Sequence, residues 1–234
     1  MATTTKTAAG AAEAAPAAID TTPKPTRAYL TVSVDEASGE VTEASRFKYL
    51  PGHPRQIRFD AKAGVFNIGG QTVIGKSLSF IPLAWHIFQD NILNMGRKTW
   101  AEMYFVDDKG AVCAVLFHGY SVENLYRLIE PLFYDDLTLA DVVVTVTAQK
   151  KQTEKEGKTA TYYIAEFSYT PADKAEVQAR QEFAEDFHIW REETHTGEAD
   201  TKLVQGYRVP APIEQVTPLG QQLEAAEAAP AAAA

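Results

Sequence analysis

The chain has 234 residues, of which 45% are hydrophobic, 10% aromatic and 23% charged. This composition is typical of a soluble globular protein with one or two domains, and it excludes collagen-like and membrane-spanning classes. No apolar run approaches the roughly 18 residues of a transmembrane helix, and the first 20 residues lack the features of a signal peptide. A single cysteine, Cys113, excludes an internal disulfide and a cysteine-ligated zinc site. We therefore expect a soluble cytoplasmic protein without a membrane partner.

The net charge of −9 is concentrated near the C-terminus. Residues 171–234 carry five Lys or Arg against 12 Asp or Glu, whereas residues 27–170 carry 15 against 17 and residues 1–26 carry two against two. A nearly neutral central region can still present a basic groove to a polyanion. An acidic C-terminal region would instead repel nucleic acid or attract basic partners.

Composition divides the chain into four regions. Residues 1–26 are mostly Ala, Thr, Pro, Lys and Gly, and residues 210–234 are rich in Ala, Pro, Gln and Glu. Both segments can bury too little apolar surface to offset the chain entropy lost on folding, so we expect disordered tails. Residues 27–170 are the predicted structured domain, and residues 171–209 are a predicted acidic helical extension.

The predicted domain begins with a β-hairpin. Alternation over residues 29–34 predicts a strand, and the turn chemistry of residues 35–40 predicts a return strand near Val41 and Thr42. Residues 46–68 then form a segment that mixes basic and aromatic side chains and is interrupted by prolines.

Five strands and one helix follow. A proline at position 82 indicates an edge, a bulge or a bend in the first strand, and residues 107–110 predict the turn between the second and third strands. The helix is predicted to begin with Ser121 as its N-cap and to end at Pro131. A charged loop over residues 150–159 separates the last two strands. In chain order, the six predicted elements lie at residues 77–89, 100–106, 112–118, 121–130 (the helix), 137–149 and 160–169.

The order strand, strand, strand, helix, strand, strand is that of the OB fold, a five-stranded, partly open Greek-key barrel with a helix between the third and fourth strands. We therefore expect a mainly β, OB-fold-like barrel, with the N-terminal hairpin and a C-terminal helix over residues 172–191 added to it. A generic α+β sheet domain built from the same elements is the alternative.

The sequence contains no catalytic or cofactor-binding motif. Residues 70–77 superficially resemble a Walker A loop, but they lead into a predicted strand instead of a helix. The acidic pairs at 107–108 and 135–136 are explained by turns, although a metal-dependent nuclease built on them is the remaining catalytic alternative. The five histidines lack metal-ligand spacing. We expect a protein that is not an enzyme and that has no metal or cofactor.

Aromatic and basic residues interleave on the predicted sheet. If Ala101, Met103 and Phe105 face the core, alternation places Trp100 and Tyr104 on the outer face of the second strand. Single-stranded nucleic acid is bound by bases that stack on aromatic rings while Lys and Arg contact the phosphates. In an OB fold, the loops after the first and fourth strands flank this face. The candidate nucleic-acid-binding residues are therefore Trp100, Tyr104, His118, Arg97, Lys98, Lys150, Lys151, Lys155 and Lys158.

Two structural explanations compete with this interpretation. The lysines of the 150–158 segment alternate with Glu154 and Glu156, which is typical of a solvated hairpin loop. Trp100 and Tyr104 would instead be buried if they packed against the N-terminal hairpin or the C-terminal helix.

Residues 57–170 resemble single-stranded DNA-binding proteins of the OB-fold type, especially those of phages and mobile elements. The resemblance lies in the element order, the basic loops and the outward aromatics Trp100 and Tyr104. The resemblance implies non-catalytic binding of single-stranded DNA in replication, recombination or repair. It also implies an acidic C-terminal tail that competes with DNA and recruits replication or recombination proteins. Here the chain ends in Ala-Pro-Ala-Ala-Ala-Ala, without an acidic tip.

A second hypothesis is a structural or protein-interaction module, such as a virion or assembly component. In that case the aromatic face would be buried against another subunit, and the protein would be a homo-oligomer.

Overall fold

The computed structural model describes residues 24–92, 95–155, 157–194 and 200–202. The predicted tail over residues 210–234, and all but the last three residues of the predicted tail over 1–26, lie outside these ranges. Of the predicted extension over residues 171–209, the structure describes residues 171–194 and 200–202.

The described part of the chain is mainly β. Its helices are α1 Tyr120–Tyr126, α2 Ile129–Tyr134 and α3 Lys174–Asp186, with 3-10 turns at Leu139–Asp141 and Glu192–Thr194. No helix in these ranges has both the length and the apolar character needed to span a membrane. The strands are β1 Leu30–Val34, β2 Val41–Ser45, β3 Arg55–Asp60, β4 Val65–Ile68, β5 Thr72–Gly75, β6 Ser77–Phe80, β7 Pro82–Asp90, β8 Lys98–Val106, β9 Val112–His118, β10 Val142–Lys155, β11 Lys158–Pro171 and β12 Asp200–Lys202.

The strands form three sheets. The hairpin β1-β2 stands alone, a three-stranded sheet has the order β11-β10-β6, and a seven-stranded sheet has the order β12-β7-β8-β9-β3-β4-β5. The predicted N-terminal hairpin, the element order strand, strand, strand, helix, strand, strand and the C-terminal helix are confirmed. The predicted five-stranded barrel is wrong, because β3 from the basic aromatic segment pairs in parallel with β9 and extends the sheet.

The first predicted strand bends at Pro82 and takes part in two sheets. Its first part, β6, pairs with β10, and its second part, β7, pairs with β8. The register of β7 against β8 shifts between Pro82 and Ala84, where proline has no N–H to donate. The predicted bulge or bend is therefore confirmed, and residues 77–80 form a strand, not the helix that a phosphate loop requires.

Helix α1 covers the free edge of β11. The N–H of Ala165 donates to the Ser121 hydroxyl at 3.0 Å, and the Asn124 side-chain amide donates to the Ala165 carbonyl at 2.9 Å. Further along the same edge, the N–H of Tyr163 donates to the carbonyl of Ala61 at 2.8 Å. These contacts occupy the backbone groups with which another strand would pair, so the barrel does not close.

The helix ends differ from the predictions. Gly119 is the N-cap of α1, and Ser121 lies inside the helix, where its hydroxyl accepts from β11 instead. Pro131 does not end the helical region, because it lies in the first turn of α2, where a missing N–H costs little. Helix α3 is shorter than predicted, and its N-cap is Asp173, whose carboxylate accepts from the N–H groups of Ala175 and Glu176.

Two apolar clusters stabilise the fold. The larger lies between the two larger sheets and includes Phe66, Met103 and Val144. The second lies on the other side of β8 and joins Tyr104 to Phe183 of α3. Residues from both ends of the described chain therefore pack on the same sheet as β8.

The turn at Gly110 leaves no room for a side chain. Its φ is 76°, and a Cβ there would lie 2.3 Å from the carbonyl oxygen of Arg46. Gly39 has a similar φ of 70° and nothing within 4 Å of its Cβ position. We expect Gly39→Ala to cost only the conformational strain of about 1–2 kcal/mol. Gly110→Ala should cost clearly more, as measured by urea unfolding, and equal losses would contradict the close approach to Arg46.

Candidate nucleic-acid interface

Strand β8 alternates as predicted, but both of its faces are buried. Met103 and its neighbours on that face lie in the larger apolar cluster. On the opposite face, Trp100, Glu102 and Tyr104 are 2%, 0% and 0% exposed. The prediction that Trp100 and Tyr104 lie on an exposed face is therefore wrong.

The ring of Trp100 has no free surface for stacking. Its indole N–H donates to the Asp90 carbonyl at 2.9 Å, and its ring lies 4.9 Å from the ring of His118, its neighbour across β8 and β9. A base could reach this ring only if the covering residues moved. Trp100 is therefore a buried structural residue in this fold.

Tyr104 packs in the second apolar cluster with Tyr29 and Phe183, as the packing alternative predicts. Its hydroxyl donates to the Glu102 carboxylate at 2.9 Å. Burial and then the adjacent carboxylate raise the pKa of Tyr104 well above its usual value. The phenol therefore stays protonated and acts as a hydrogen-bond donor within the core.

The buried Glu102 carboxylate connects β8 to the C-terminal segment. It accepts from the Thr194 hydroxyl at 2.5 Å, and the Arg191 Nε atom lies 3.3 Å away. The Nε2 atom of His86 on β7 lies 3.6 Å from the same carboxylate. Alternation had placed Glu102 between two aromatic residues on one face, but no local pattern indicated that Arg191 and Thr194 would cover it.

A second set of contacts holds the same segment at the turn before β3. The Tyr49 hydroxyl accepts from the Trp190 N–H at 3.0 Å and donates to the Trp190 carbonyl at 3.0 Å. The N–H of Glu192 donates to the carbonyl of Gly52 at 2.9 Å. Residues 189–194 are therefore attached both at Glu102 and at the turn before β3, and they cover the middle of β8.

His118, the third predicted ring of the nucleic-acid-binding set, lies against the ring of Trp100. It is partly buried, and burial followed by the nearby Lys98 charge lowers its pKa below the usual value. Both effects favour the neutral imidazole. Lys98 is the first residue of β8 instead of a loop residue, while Arg97 precedes the strand and is exposed.

The predicted charged loop over residues 150–159 is mostly strand. Lys150 and Lys151 lie in β10 and Lys158 begins β11, because these strands pair as far as Lys155 and Lys158. Lys155 lies in β10, and its side chain is outside the described residues. The structure thus divides the predicted set between one end of β8, with Arg97, Lys98, Trp100 and His118, and the β10–β11 hairpin, with Lys150, Lys151, Lys155 and Lys158.

A cleft of about 250 Å³ lies between α1 and the β10–β11 hairpin. Tyr120, at its edge, is 62% exposed. Lys151 pairs with Tyr162 across the hairpin, so both side chains lie on the face that lines the cleft. Both basic and acidic side chains line the cleft. The lining includes Tyr120, Glu123, Arg127, Lys151, Tyr162 and Glu166.

Sequence reasoning found only Lys151 among these lining residues. Tyr162 was placed in a strand and Tyr120 before a helix, without a reason to bring them together. Their proximity depends on the hydrogen bonds that attach α1 to Ala165 at the edge of β11.

Neither metal-binding geometry nor similarity to known proteins identifies the site. Within the described ranges, no group of three or more His, Cys, Asp or Glu side chains is arranged to hold a metal ion. No protein-family model matches the chain, and neither does any curated protein or solved structure.

Proposed function

We propose that the protein is a non-catalytic single-stranded DNA-binding protein that acts in replication, recombination or repair in the cytoplasm. Its proposed binding surface is the β10–β11 hairpin with the adjoining cleft, instead of the outer face of β8. The observation that supports this choice is the length and composition of the hairpin. Each strand has 14 residues, and pairing with β6 ends at Thr147, so the basic half extends beyond the three-stranded part of the sheet.

The hairpin combines the two chemical features that single-strand binding requires. It has exposed cationic side chains at Lys150 and Lys158, with Lys151 partly buried beside them. Tyr162 on the hairpin and Tyr120 on α1 supply aromatic rings. Stacking on such rings contributes about 1–3 kcal/mol per base, while Lys contacts the phosphates without reading sequence.

The proposed fold relationship is to the OB fold. Strands β6–β7, β8, β9, β10 and β11, with α1–α2 between β9 and β10, follow its chain order. The bent first strand pairs with both the second and the fourth strand of this series. On that correspondence, the β10–β11 hairpin is the connection between strands four and five, one of the two loops through which OB folds bind oligonucleotides.

The test is a fluorescence-anisotropy titration of labelled oligo-dT and a matched duplex at several salt concentrations. We expect tighter binding to the single strand, with log K falling by about 0.7 per tenfold change in salt for each phosphate contact. Trp85 and Trp100 are each 2% exposed, so neither ring should contribute much to any change in tryptophan fluorescence on binding. Equal affinity for the duplex, or binding that is insensitive to salt, would contradict the proposal.

A protein-interaction module remains the second candidate function. The outer face of β8 is already covered within the chain, so it is not the contact surface. Phe133 and Tyr134 of α2 are instead 73% and 75% exposed, and their rings lie 5.6 Å apart. A stable oligomer in light scattering that does not bind either oligonucleotide would favour this candidate. Replication or recombination proteins are the proposed partners in either case.

A further inference from the structure

The cleft contains a buried polar atom that its own chain does not satisfy. Among the described residues, the side-chain carbonyl oxygen of Gln149 is buried and has no hydrogen-bond partner. Such atoms are uncommon in folded proteins, because the lost hydration is not replaced. Gln149 lies on the same face of β10 as Lys151, two residues further along, and both line the cleft.

The dimensions of the cleft suit one small ring system. Its volume of about 250 Å³ lies just below the range of about 300–1,000 Å³ for pockets that hold drug-sized ligands. Tyr162 pairs with Lys151 and stands beside the cleft, while Tyr120 lies at the rim and is largely exposed. A planar aromatic ligand can therefore contact a ring without displacing a core residue.

The polar groups distinguish between possible ligands. The Gln149 carbonyl and the Glu166 carboxylate both accept hydrogen bonds, so they favour a ligand that presents N–H donors. Arg127 and Lys151 supply positive charge for a phosphate on the same ligand. Adenine, cytosine and guanine each carry an exocyclic amine, whereas thymine presents a carbonyl and a methyl group in its place.

We propose that this cleft is a pocket for one nucleobase with an exocyclic amine, occupied by a single nucleotide of the bound strand. The inference rests on the proposed single-stranded DNA binding. It adds base preference at one position to a surface that otherwise contacts the backbone and stacks bases without discrimination.

The experiment compares labelled oligo-dT with the same oligonucleotide carrying one central deoxyguanosine, deoxycytidine or deoxyadenosine. Wild-type protein should bind at least one substituted strand about tenfold more tightly, the effect of one discriminating base contact. Gln149→Leu and Glu166→Leu each remove a hydrogen-bond acceptor, so each should abolish this preference, measured as the ratio of that variant's own affinities for the substituted strand and for oligo-dT. Glu166 is exposed, so its variant tests the pocket without disturbing the core.

Gln152→Leu is the matched control. Gln152 is exposed on the opposite face of β10 and undergoes the same chemical change, so this variant should keep the wild-type preference. Binding to oligo-dT without any base preference, or a preference that survives both pocket variants, would overturn the pocket while single-strand binding stands. Absence of binding to every single strand would overturn the proposed function as well.

Discussion

Replacing Arg191 with methionine is expected to lower the free energy of unfolding by about 3–5 kcal/mol, because it leaves a buried carboxylate without its cation. The side chain of Glu102 is 0% exposed and that of Arg191 is 10% exposed, with 3.3 Å between the Arg191 Nε and Glu102 Oε1 atoms. Methionine keeps much of the apolar stem of arginine, so the substitution removes mainly the charge. Urea unfolding at pH 7 measures the loss.

Two control variants separate charge from packing. Arg27→Met removes a more exposed ion pair with Asp186, at 2.6 Å, and should cost less than about 1 kcal/mol. Combining Arg191→Met with Glu102→Gln removes both buried charges and should recover much of the stability, because the remaining amide still accepts hydrogen bonds. A loss for Arg191→Met no larger than that for Arg27→Met would show that the pair does not hold the C-terminal segment.

The segment that carries this ion pair covers β8, which explains why Trp100 and Tyr104 were wrongly predicted to lie on an exposed face. Alternation along β8 depends only on neighbouring residues, and it correctly placed Trp100, Glu102 and Tyr104 on one face. The residues that cover this face are distant in sequence: Phe183 and Arg191 lie about 80 or more positions later in the chain, and Tyr29 lies more than 70 positions earlier. Nothing in the local pattern distinguishes a covered face from an exposed one.

Features encoded over a few residues were predicted well. The turn after β8 is an example, since the Asp107 carboxylate accepts from the N–H groups of Lys109 and Ala111 at 2.9 and 2.8 Å. The sharp turn at Gly110 completes the pattern that Asp and Gly predict. Such signals correctly predicted the N-terminal hairpin and the chain order from β6 to β11, because each depends on contacts within one turn or one hairpin.

Features that depend on distant pairing were missed. Strand β3 was interpreted only as a basic aromatic segment, because Arg55 and Arg58 interrupt its apolar residues. Parallel pairing with β9 stabilises this segment as a strand, and in that pairing Arg55 lies opposite Cys113. The cleft was missed for the same reason, since α1 is attached beside it by hydrogen bonds to Ala165, about 40 residues further along the chain, and by burial of Val122 and Leu125 in the larger apolar cluster.

Replacing Lys150, Lys151 and Lys158 together with glutamine is expected to weaken oligo-dT binding by about 100-fold near 0.1 M salt. Each phosphate contact to a single strand contributes a salt slope of about 0.7, so loss of three contacts lowers the slope by about 2. At 0.1 M salt this change corresponds to roughly two orders of magnitude in affinity. Anisotropy titrations across a range of salt concentrations give the affinity and the slope from the same samples.

The matched control replaces three exposed lysines elsewhere, Lys48, Lys109 and Lys174, with glutamine. Both triple variants remove three positive charges, so a long-range effect of net charge would weaken binding equally in each. Only direct phosphate contacts at the hairpin would lower the salt slope in the first variant and leave it unchanged in the second. Equal slopes would place the binding surface outside the β10–β11 hairpin, in which case the exposed Arg97 before β8 becomes the next residue to replace.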